Sequence, residues 1–141
     1  MDWGFIGVAC ILGLSAVGSG IGAGIAGQAA IGAWKRNYQR NKPASFLLLA
    51  FAGAPLTQTI YGFILMNAMK NSSAGSLLKL GLGLACGAAI GMSAVAQGQC
   101  SASGCDAFGE TGKGFAQYMI VVGLCETVAL FVLAFTLSII L

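Results

Sequence analysis

The chain has 141 residues, 57% of them hydrophobic and 8% charged, with a formal net charge of +3. Soluble domains carry about 25% charged residues, so this composition points to an integral membrane protein with room for four spans of ~20 residues. The chain has no histidine, which removes imidazole catalysis and the usual histidine metal sites, and its small charge gives no reason to expect nucleic acid.

The N-terminus, Met1-Asp2-Trp3-Gly4, lacks a positive leader region, so no cleaved signal peptide is expected. A first helix is predicted over residues 5–36. It is dense in glycine, with Gly18, Gly20, Gly22, Gly24 and Gly27. Glycine weakens a helix in water, but a lone span in lipid must satisfy its backbone internally and stays helical. Small residues four apart let helix backbones approach closely, and this many suggest more than one close neighbour.

Lys35, Arg36, Arg40 and Lys42 precede Pro43. Four positive charges in one short connector, 34–43, place it in the cytoplasm. A second helix is predicted over 44–69. Within it Pro55 removes a backbone donor, and Thr57, Gln58 and Tyr61 fall close to one face at mid-membrane depth. Lys70 to Ser76 reads as a polar turn on the opposite side.

A third helix is predicted over 77–108, with Gly83, Gly87 and Gly91 at four-residue spacing, and it is expected to run beyond the membrane. Residues 109–114 form a second cytoplasmic turn. A fourth helix covers 115–141, so both termini fall opposite the cytoplasm. The five cysteines, Cys10, Cys86, Cys100, Cys105 and Cys125, include no CxxC and read as small free packing residues.

The two halves repeat. Residues 57–65 match 125–133, and Gly18, Gly22 and Gln28 match Gly87, Gly91 and Gln97, with one residue of loop difference. The fold class is therefore an all-α membrane protein, one domain of four transmembrane helices built as two duplicated hairpins, 1–72 and 73–141. Each unit has two spans, so the copies share one orientation. The repeat puts Gln58 where Glu126 stands, and only the second half keeps a carboxylate.

Glu126 lies inside a long apolar run. A charge at that depth costs several kcal/mol, about 2.5–3.5 on the gentlest scales, and intramembrane carboxylates mark ion or proton paths by default. Gln97 and Glu126 sit at equal distances from the turn near Thr111 and Gly112, hence at one depth. Thr57 and Gln58 mark the same depth on the second helix. Tyr61 is one turn away and in reach of the carboxylate, and the Ala54 carbonyl lies four residues before Gln58, next to the donor gap at Pro55. The set offers oxygen ligands and one negative charge, which suits a monovalent hard cation better than Ca²⁺ or Mg²⁺. A proton needs fewer ligands, so the extra oxygens tilt the reading toward Na⁺. The plainer alternative is a polar network that only glues helices together.

The duplicated hairpin, residues 55–61, Ala96-Gln97-Gly98 and Cys125-Glu126-Thr127 together resemble the membrane-rotor proteolipid of V-type and archaeal-type ATPases, called subunit K in bacteria. The resemblance covers essentially the whole chain and is strongest to sodium-translocating members. It implies that Glu126 is the ion-binding carboxylate, that Thr57, Gln58 and Gln97 are oxygen ligands, that Tyr61 hydrogen-bonds Glu126, and that Ala54 supplies a backbone carbonyl. It also implies a homo-oligomeric ring in the lipid bilayer, with the first and third helices inside and the others outside. Its partners would be a stator membrane subunit bearing an arginine and central-stalk subunits driven by soluble motors. The chain has no Gly-x-x-x-x-Gly-Lys-Ser/Thr motif, and the resemblance implies no ATP site of its own. Residues 99–106 are less typical of the family and leave the end of the third helix open. Three other readings stand beside this one: the same ring moving H⁺, a small four-helix secondary transporter, and a structural scaffold in which Glu126 is dispensable.

Overall fold

A computed structural model describes residues 3–141. Met1 and Asp2, on which the reading of the N-terminus partly rests, lie outside the described residues. In chain order the elements are α1 (Trp3–Gln39), α2 (Leu48–Gly53), a 3₁₀ turn (Ala54–Leu56), α3 (Thr57–Asn71), α4 (Ser76–Thr111) and α5 (Phe115–Ile140). Trp3–Gln39, Leu48–Asn71, Ser76–Thr111 and Phe115–Ile140 are each long and apolar enough to cross a membrane. At 1.5 Å per residue the 37-residue α1 is about 55 Å long, well beyond the ~30 Å hydrocarbon layer, and α4 is nearly as long.

The two long helices lie side by side and parallel. Gly7 meets Gly83, Gly18 meets Gly91, and Gly22 meets Ala94 and Gly98 along the pair. A Cβ on any of these glycines would run into backbone of the facing helix, so the close approach requires glycine there. Gly18, Gly22, Gly83, Gly87 and Gly91 are thus occupied by contact within the chain. Room for the further neighbours expected from the density of glycine is left at a different set. Gly13, Gly20, Gly24 and Gly27 have nothing within 4 Å of an added Cβ. Gly20 and Gly24 are each two residues on from Gly18 and Gly22, hence about 200° around the helix, so α1 has a second small-residue face turned outward.

The second span is broken where Pro55 stands. Without an N–H the ring cannot continue the α-helical ladder, and Ala54–Leu56 tighten into a 3₁₀ turn. The helix begins at Leu48 rather than Ala44. Residues before it are held by Trp34 Nε1 donating to Ser45 O at 2.8 Å and Asn37 Nδ2 to Pro43 O at 3.4 Å. The third span, expected to end near 108, continues to Thr111 and stops at Gly112, whose φ of +66° suits glycine.

Two apolar clusters hold the spans together. One, near the connectors, contains Leu48, Phe51, Cys105, Phe108 and Val122. Its rings stack edge-on, Phe51 to Phe115 at 5.4 Å and Phe108 to Phe115 at 5.5 Å between centroids. The other, toward the termini, contains Ile11, Leu65, Met69, Ile90 and Ala129. The polar residues Gln58, Gln97 and Glu126 of the second, third and fourth spans fall between these clusters. Beyond the first cluster, Arg36 pairs with Asp106 at 2.8 Å and Arg40 with Glu110 at 3.5 Å, tying the projecting ends of α1 and α4. Such exposed pairs contribute only about 0–1 kcal/mol each.

Candidate ion-binding site

The Glu126 carboxylate is held from two other helices. Tyr61, on α3, donates its hydroxyl to Oε1 at 2.5 Å. Gln97, on α4, donates Nε2 to Oε2 at 3.2 Å. The same Gln97 nitrogen reaches Val122 O at 3.1 Å, one turn before Glu126 on α5. Gln97 is fully buried and needs these partners, because an unpaired buried amide is costly. Its oxygen accepts Gln58 Nε2 at 2.8 Å.

Gln58 is also fully buried, and its carbonyl turns to the 3₁₀ turn. Thr57 Oγ1 lies 3.2 Å from Gln58 Oε1 and 3.0 Å from Ala54 O. A hydroxyl carries one proton. One of these two oxygen–oxygen contacts therefore has no proton in it, and three oxygens crowd one corner. Ala54 O already accepts the Thr57 N–H that closes the turn. The break at Pro55 thus brings a backbone carbonyl, a hydroxyl and an amide oxygen onto one side.

All six residues singled out by sequence, Ala54, Thr57, Gln58, Tyr61, Gln97 and Glu126, are linked in one chain of polar contacts from the turn to the carboxylate. Asp106 and Glu110 have arginine partners, and among the described residues Glu126 has no cation within ion-pair distance. Gln28, the repeat counterpart of Gln97, lies on α1 and stands outside the network. The sequence reading missed two supports. Ser93 Oγ donates to Cys125 O at 2.7 Å and fixes the backbone next to Glu126. Val122 O holds the Gln97 amide. The second was findable, since it lies four residues before the carboxylate; a serine bonding a distant carbonyl leaves no mark in a pattern.

Two pieces of the chain, residues 6–69 and 80–139, match the family model that describes the C subunit of ATP synthase. The chain belongs to the ATP synthase C-subunit family. Each match spans one hairpin, so the family unit occurs twice and the duplication seen in the sequence is two copies of it. The resemblance read from the motifs holds at the level of this family. The chain is also similar to the A-type ATP synthase subunit K of Methanocaldococcus jannaschii, 32% identical over 132 residues that make up 91% of this chain and 57% of the relative. It therefore spans a little over half the length of that relative.

Proposed function

We propose that this chain is a rotor-ring subunit of a V/A-type rotary ATPase and that it carries Na⁺ across the membrane on Glu126. The observation that carries the reading is the oxygen-rich corner linked through Gln97 to an intramembrane carboxylate that has no cationic partner among the described residues. Thr57 Oγ1, Gln58 Oε1 and Ala54 O supply neutral hard ligands, and Glu126 supplies the one charge that a monovalent ion needs. Gln97 and Tyr61 hold the carboxylate in place. The family assignment and the likeness to an A-type subunit K support the rotary context.

On this reading copies of the chain close into a ring in the lipid bilayer, with the outward glycine face of α1 available to a neighbour. Each Glu126 meets an arginine of a stator membrane subunit, releases its ion to one side and reloads from the other. Soluble motor subunits drive the ring through a central stalk, and the chain itself holds no nucleotide. Loops 34–43 and 109–114 face the cytoplasm, in keeping with the four positive charges of the first.

The test is transport by the assembled complex in sealed vesicles. ATP-driven uptake of ²²Na⁺ that Glu126→Gln abolishes is the expected result. Uptake of H⁺ alone, indifferent to Na⁺, identifies the proton-carrying ring instead. Transport by this chain without soluble partners identifies a secondary transporter.

A further inference from the structure

Cys100 on α4 and Cys125 on α5 touch through their sulfurs, with Cys125 Sγ 3.4 Å from Cys100 Sγ. Both are reduced in the structure. Their positions are specific to the network above: Cys100 is three residues after Gln97, and Cys125 immediately precedes Glu126. Cys100 also lines a mostly apolar groove of about 250 Å³ with Ser103, Gly104, Ala107, Tyr118 and Val121. The groove gives an uncharged small molecule an approach to the thiol from outside.

We propose that Cys100 and Cys125 form an oxidisable dithiol site, and that closing it to a disulfide slows the opening of Glu126. A disulfide needs the sulfurs about 2.05 Å apart, so they must approach by roughly 1.4 Å. The two thiols lose two protons and two electrons as the S–S bond forms. An uncharged two-electron acceptor of the diazene or quinone class takes both and leaves as the hydrazine or hydroquinone. A charged oxidant is disfavoured by the apolar groove. A soft-metal site is the weaker use of the pair, because no group of three cysteine or acidic side chains suited to a metal occurs among the described residues.

The consequence follows from placement. Glu126 exchanges its ion only by parting from Gln97 and Tyr61. A covalent bond one residue away ties α5 to α4 at the level of the Gln97–Glu126 contact, beside the Ser93 bond that already holds Cys125 O. The redox chemistry stands on the thiol contact alone; the gating half rests on Glu126 being the ion carrier, as proposed above.

The experiment uses the purified assembly in lipid vesicles, with diamide as oxidant. Remaining thiols are alkylated and counted by intact mass on the denatured monomer. Oxidation is expected to remove two alkylatable thiols without cross-linking monomers, in the native chain and in C10S, but not in C100S or C125S. Retention of all five thiols, or the same loss in C100S, overturns the dithiol. The second readout is the rate at which a carbodiimide labels Glu126 without Na⁺. Oxidation is expected to slow it at least fivefold in the native chain, reversibly with dithiothreitol, and to leave C100S unchanged. An unchanged rate in protein whose disulfide has formed overturns the gating. Failure of the reduced protein to label at all overturns the carrier role of Glu126 and the gating with it, while the thiol count still decides the disulfide.

Discussion

Tyr61 and Glu126 meet across the contact of α3 with α5, the phenol hydroxyl donating to Oε1 at 2.5 Å. Gln97 reaches the other carboxylate oxygen from α4. One acid is thereby referred to three helices, and the position of its charge depends on how the hairpins pack. A hydrogen bond to a charged group contributes about 1.5–3 kcal/mol. Tyr61→Phe should therefore raise the Na⁺ concentration that half-protects Glu126 by at least tenfold, the equivalent of ~1.4 kcal/mol or more. An unchanged half-protecting concentration would show the contact to be incidental.

Gln97→Ala and Thr57→Ala should each weaken protection by Na⁺ while Glu126 still labels. Each removes an oxygen of the network but leaves the acid. Gln97→Ala should have the larger effect, because it frees one carboxylate oxygen of Glu126 and also leaves Gln58 Nε2 without its acceptor. Equal and negligible shifts in both variants would remove these side chains from the ligand set.

The two faces of α1 should respond differently to bulk. Gly22→Leu places a side chain against Ala94 backbone and Pro55, and should destabilise the single chain. At Gly24 an added Cβ has nothing within 4 Å, so Gly24→Leu should leave the monomer helical and folded. It should nevertheless shift the assembly from a ring to smaller species by native mass spectrometry. A normal ring from Gly24→Leu would move the interface between copies off this face.

Gln58→Glu restores a carboxylate to the first hairpin. It replaces an amide that donates to Gln97 Oε1 with a group that opposes it, and puts a second acid into the network of Glu126. Two close carboxylates disfavour joint ionisation. Ions moved per ATP should fall rather than double. Intact or doubled transport per ATP in reconstituted vesicles would contradict the ligand role of Gln58.

Much of this site was legible because intramembrane polar residues are few. Glu126, Gln97, Gln58 and Thr57 stand out against apolar runs, and equal distance from a turn fixes equal depth. Pro55 announced the break in the second span, and the repeated segments announced two hairpins. Glycine spacing was legible too, but spacing does not say which neighbour a face meets: Gly18 and Gly22 are consumed by α4, and Gly20 and Gly24 are left open. The end of the third helix was obscure because Ser101, Ser103, Gly104 and Cys105 are weak helix signals. Packing decides it instead. Cys105 is buried against α1 and α2, with its sulfur near Ala26 O and Leu48 O, and a Cβ at Gly104 would strike the Phe51 ring. The Cys100–Cys125 contact joins positions on two helices, and no sequence pattern connects them.

On the proposed function Na⁺ and H⁺ compete for Glu126, and the metal ion is held at neutral pH. Carbodiimide labelling of the purified assembly tests this most directly, because the reagent takes the protonated acid. Labelling should occur without Na⁺, should be suppressed by added Na⁺ more strongly as pH rises, and should vanish in Glu126→Gln. Labelling that follows pH alone, with no protection by Na⁺ at any pH, would contradict the account and make H⁺ the transported ion.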